Sequence, residues 1–158
     1  MKLPLRAALG AVLLTTCLLP SAGHAAMVRR SLEQLSQEAD TIVIGTIARQ
    51  VSSWNNEGTR IVTDVTVTVE ESIKGHPAVE LTFRVAGGSV AGLAMRTSND
   101  PAFKNGDRLI LFLHTVDVPA RLVGHSQGAY RVHDELVVRD GHSMAAREFI
   151  NAIRATNP

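Results

Sequence analysis

The ten residues IVTDVTVTVE, Ile61 to Glu70, alternate without a break. Ile61, Thr63, Val65, Val67 and Val69 fall on one side of an extended chain. Val62, Asp64, Thr66, Thr68 and Glu70 fall on the other. A period of two belongs to a half-buried strand and is incompatible with a helix, where the apolar spacing is three to four residues. Eight of these ten residues are Val, Ile or Thr, all but the charged Asp64 and Glu70 of the second face, and β-branching suits a pleated surface. One side of this segment must therefore cover a sheet core.

The neighbouring segments repeat the signal. TIVIGTIARQVSSW begins apolar on both faces, with Ile42, Ile44 and Thr46 alternating with Val43, Gly45 and Ile47. Such a strand belongs near the centre of a closed or covered sheet, and Gly45 marks a bend or a close backbone approach. VELTFRVAGG places Val79, Leu81, Phe83 and Val85 inward, and RLILFLHT is apolar on both faces. RLVGH, GAYRVHD and ELVVRD read as three short strands with tight turns, and NNEG as a turn. Ser31 and Gln34 form a capping box for a short helix, SLEQLSQEAD. SMAAREFINAIRAT reads as a C-terminal helix with Ser143 as N-cap and Ala146, Phe149, Ile150 and Ile153 on one face. No β-α-β alternation appears, which argues against a parallel sheet. The predicted fold is mainly β: a closed or partly open antiparallel barrel, OB-like, of six or seven strands, with a short N-terminal helix and a C-terminal helix. Ala86 to Asp107 is expected to be one long irregular loop.

Lys2 and Arg6 precede an apolar run, Ala7 to Leu19, which Pro20 ends. That is the plan of a secretory signal peptide, residues 1–25, with cleavage near Ala25, and it predicts a periplasmic or secreted protein. Residues 26–158 then form a single β-barrel domain. The lone cysteine, Cys17, lies in the signal segment, so the domain relies on its core and not on disulfides. Two of the sixteen basic residues and none of the fifteen acidic ones fall in that segment, leaving a net charge of −1 with histidines neutral. No basic run stands out, so no nucleic-acid partner is expected, and no later segment is apolar enough to span a membrane.

GHSQG, Gly124 to Gly128, matches the G-x-S-x-G elbow of serine hydrolases, and Asp134 and His142 follow Ser126 in the order that family requires. The elbow needs a strand leading in and a helix leading out. Here GAYRVHDELVV leads out and alternates like a strand. The reading preferred is a hairpin turn with Ser126 and Gln127 solvated at its tip and no catalytic residue. His76, His114, His125, His133 and His142 form no metal motif, and neither a metal nor any other cofactor is expected.

Five segments carry a resemblance. EADTIVIGTIARQ, RIVTDVTVTVEESIKG, VELTFRVAGG, NGDRLILFL and GHSQGAYRV together resemble a group of exported bacterial proteins of unknown function. The resemblance spans nearly all of the chain after the signal segment. Its most telling features are A-D-x-I-V-x-G from Ala39, the K-G of Lys74 and Gly75, and F-x-x-G-D from Phe103. In that group the segment matching GHSQGAYRV varies around Q-G, which implies that Gln127 and Gly128 shape a turn. More distantly, the first two strands are similar to the netrin-like modules of tissue metalloproteinase inhibitors. That similarity implies an OB-type five-stranded barrel with flanking helices and a protease-inhibitor or protein-binding role. Those inhibitors chelate zinc through an N-terminal cysteine, where this chain has Ala26, Met27 and Val28.

The function expected is an exported, non-catalytic binding module whose partner is an exported protein. Its candidate surface is Trp54 with Val90, Leu93, Met95 and Phe103. The alternatives are a small serine hydrolase using Ser126 and a netrin-like protease inhibitor.

Overall fold

The structure is a computed structural model and describes residues 29–98, 101–139 and 142–156. The expected signal peptide, residues 1–25, lies outside these. The described chain opens with helix α1 (Leu32–Glu38). Its capping box forms as expected: Ser31 Oγ accepts from Gln34 N at 3.1 Å, and Gln34 Oε1 accepts from Ser31 N at 2.8 Å.

Ten strands follow: β1 (Thr41–Trp54), β2 (Ile61–Lys74), β3 (Glu80–Ala86), β4 (Gly88–Val90), β5 (Leu93–Met95), β6 (Arg108–His114), β7 (Ala120–Leu122), β8 (Ala129–His133), β9 (Leu136–Arg139) and β10 (His142–Ala145). Helix α2 (Ala146–Ala155) ends the described chain. The sheet runs β1-β2-β3-β7-β6, and β6 pairs back onto β1, which closes a five-stranded barrel of the expected OB-like kind. One pairing departs from the antiparallel expectation: β3 and β7 run parallel, with Phe83 opposite Ala120 and Arg84 opposite Arg121. β8, β9 and β10 extend the sheet outward from β6.

Two apolar cores result, and they explain the two kinds of strand pattern. Inside the barrel lie Val43, Ile47, Val65, Val67, Phe83, Leu109, Leu111 and Leu113. Outside it, under the helices, lie Leu35, Ile42, Ile44, Ile110, Phe112, Tyr130, Phe149 and Ile153. β1 and β6 serve both, so both their faces are apolar. β2 serves mainly the barrel, so it alternates. Burying side chains of this size contributes about 1.5–3 kcal/mol each relative to exposure.

Several local expectations fail for identifiable reasons. Val79 is 74% exposed and not inward: it precedes β3 at the end of the β2–β3 ladder, where its carbonyl still accepts from Val69 N at 2.7 Å. Ser143 does not cap α2; it lies in β10 opposite Val138, and the helix begins at Ala146 with Ala145 before it. The segment Ala86 to Asp107 is not wholly irregular. It contains the β4–β5 hairpin, turned by Ala91 (φ +50°) and Gly92 (φ +83°), the two positive φ values of a tight two-residue turn.

Candidate functional site

The motif residues come first, because their partners decide what chemistry is left to them. Asp40 follows α1 and holds the far end of β6. Its carboxylate accepts from Thr115 Oγ1 at 2.5 Å, from Thr115 N at 2.8 Å and from Val116 N at 3.4 Å. Burial acts to raise its pKa, but these hydrogen bonds outweigh it and hold the carboxyl below its ordinary value. Gly45 sits where a β-carbon would come within 2.5 Å of Thr68 O, at a bulge in the β1–β2 ladder. Lys74 Nζ donates to Ser36 O at 2.7 Å, fastening α1 to the barrel. Phe103 meets Phe83 edge-on, with ring centroids 5.7 Å apart. Asp107 O accepts from Ile47 N at 2.9 Å. All of these residues are engaged in closing the barrel.

The GHSQG segment is not a hairpin tip. His125–Gly128 is a single 3₁₀ turn between β7 and β8, and both of those strands pair with β6, not with each other. Gln127 is 3% exposed, contrary to the expected solvation, and its Oε1 accepts from Arg30 N at 2.7 Å. Strand β8 follows the turn, where an elbow would have a helix. Among the described residues no hydrogen bond joins Ser126 to His142 or Asp134. Asp134 instead pairs with His133 at 2.8 Å in an exposed turn. No group of three or more His, Cys, Asp or Glu gathers among the described residues.

The expected binding residues are only partly brought together. Leu93, 60% exposed, starts β5 after the hairpin turn. Val90 and Met95 are half-buried on the same hairpin. Trp54 is 42% exposed at the end of β1. Ser89 N donates to Ser52 Oγ at 3.4 Å, so the hairpin leans on the same strand that carries Trp54. Phe103 belongs to the barrel's packing and closes one side of a concavity of about 570 Å³, which Met95 also lines.

A second concavity lies on the other side of Met95 and was not anticipated. It is a cleft of about 980 Å³ on the outer face of β2, β3 and β7. Five arginines line it (Arg30, Arg60, Arg84, Arg96 and Arg121), with His114 and His125, and no aspartate or glutamate among the described residues. Strand register assembles it. Asp64 stands opposite Arg84, Arg84 opposite Arg121, and Arg121 opposite His114, a polar row across four strands. Arg84 holds Asp64 with both Nε and Nη2, at 2.6 and 2.8 Å, a bidentate pair that raises the pKa of the guanidinium. Arg121 donates from both Nε and Nη2 to a single oxygen, Asp117 Oδ2, at 3.1 and 2.7 Å. Outward alternation already places Asp64 and Arg84 on this face. The parallel β3–β7 pairing that adds Arg121 has no local sequence signal.

Compared with family models and with curated proteins, the chain matches none. Among the described residues no helix is long and apolar enough to cross a membrane.

Proposed function

We propose that this protein is an exported, non-catalytic binding module that holds a protein partner at the β4–β5 hairpin and in the cleft beside it. The observation that carries the reading is the cleft itself. Its volume of about 980 Å³ lies in the range of binding sites, and its walls combine Val62 and Met95 with converging guanidinium groups. Leu93 and Trp54 add exposed apolar surface at its margin, of the kind that anchors partners. Barrels of this class use the face of their second and third strands and the adjoining loops for ligands, and the cleft occupies that face; this support is by analogy of fold.

The test is retention of envelope proteins on the immobilised protein, compared with its Leu93→Asp variant. A species held by the parent and lost by the variant, with unchanged thermal unfolding, is the expected result. Equal retention by both would contradict the reading. Labelling by a fluorophosphonate probe that disappears in Ser126→Ala would favour the hydrolase instead. Inhibition of a metalloprotease would favour the netrin-like alternative.

A further inference from the structure

We infer that the cleft takes an acidic peptide segment, whose carboxylates meet the arginines while its aliphatic side chains lie on Val62 and Met95. The inference rests on the binding-module reading and adds the chemistry of the ligand. Arg84 and Arg121 are register partners on adjacent strands, where like charges repel. Asp64 and Asp117 offset that repulsion from the flanks, each occupying two of the five N–H donors of its arginine and leaving three. Arg60 and Arg96 have no side-chain hydrogen bond or ion pair among the described residues. Arg30 is paired as well, its Nε donating to Glu38 Oε2 at 2.8 Å, so the cleft holds two uncompensated guanidinium groups beside three partly used ones, with no carboxylate in its lining.

A guanidinium fork matches a planar carboxylate in bidentate fashion, which accounts for arginine and not lysine on every wall. Nucleic acid fits less well. The lining has no Phe, Tyr or Trp ring on which a base could stack, only the smaller imidazoles of His114 and His125. Outside the signal segment the formal net charge is −1 and no basic run stands out, so no basic track leads from the cleft along a long phosphate backbone. The apolar floor suits the side chains of a peptide.

The experiment is fluorescence anisotropy of the purified protein with three labelled probes: a peptide alternating Glu and Leu, the same peptide with Gln for every Glu, and an oligothymidylate. The Glu peptide is expected to bind, to weaken with added salt, and to lose at least about tenfold in affinity to the Arg60→Gln/Arg96→Gln double variant. An Arg49→Gln/Arg147→Gln variant, altered at exposed arginines outside the cleft, is expected to bind like the parent. Equal binding of the Gln peptide would overturn the acidic-ligand inference and leave the binding-module reading standing. Tighter binding of the oligothymidylate through the same arginines would overturn it in favour of nucleic acid. No binding of any probe by protein with an intact circular dichroism spectrum would also overturn it, and the retention experiment then decides the broader reading on its own.

Discussion

Gly128 and Ser126 sit two positions apart in one turn, yet the fold depends on them very differently. A β-carbon on Gly128 would run into Val123 O and Phe112 O, both backbone atoms that cannot swing away. Gly128→Ala is therefore expected to cost about 2 kcal/mol or more, and Ser126→Ala to stay within about 0.5 kcal/mol, by urea denaturation. Equal costs would mean that the Ser126 hydroxyl has a structural partner as important as the space at Gly128. The Q-G of GHSQG was legible as a turn, but the burial of Gln127 was not. Its partner is the backbone N–H of Arg30, far away in sequence, and no local pattern announces it. Asp40 gives a second prediction at this scale. Its pKa is lowered on folding, so the unfolded chain binds the proton more readily and stability rises with pH. The contribution is full above the ordinary value of 3.8 and is lost as pH falls below it. Asp40→Asn should lose about 1–3 kcal/mol at neutral pH, from hydrogen bonds to a charged acceptor. It should also show a flatter decline in acid than the parent. A variant with the parent's full acid sensitivity would assign that sensitivity to another carboxylate, with Glu70 next: its hydrogen bonds from Thr46 and Arg108 outweigh burial and lower its pKa too.

Among the elements, β1 and β6 were the most readable because they are buried on two sides, and the burial is written into consecutive apolar residues. The short strands were less so. A three-residue strand such as β7 has too few positions to declare a period, and its parallel pairing with β3 is fixed by closure of the barrel. The β4–β5 hairpin was hidden because alanine, not asparagine or glycine, takes the first positive-φ position of its turn. That hairpin and α2 should respond differently to substitution. Leu93→Asp, at an exposed position, is expected to change stability by no more than about 0.5 kcal/mol. Phe149→Ala, which empties a position packed against Tyr130 with centroids 4.7 Å apart, should cost about 3 kcal/mol or more. Thermal unfolding of both variants checks the contrast. A Leu93→Asp variant that unfolds would make the hairpin a lid on the core and not a docking surface.

For the molecule as a whole, one set of residues closes the barrel and fastens the first helix, while the arginines of the cleft stand on its outer face. Asp40, Gly45, Lys74, Gly75, Asp107 and Gly128 have backbone or packing partners that any sequence with this fold must supply in some form. Arg60, Arg84, Arg96 and Arg121 do not. This division explains why the architecture could be read from the chain more fully than the ligand: strand periodicity is local, whereas the cleft exists only once four strands are in register. The most direct test of the central claim is site-specific photo-cross-linking in the protein's own cells. A photoreactive residue placed at Leu93 is compared with one at Met144, which is 40% exposed on β10 at the other end of the sheet order. A discrete cross-linked partner is expected from position 93, absent from position 144 and diminished by the Arg60→Gln/Arg96→Gln change. No adduct from position 93, or the same adduct from both positions, would contradict it.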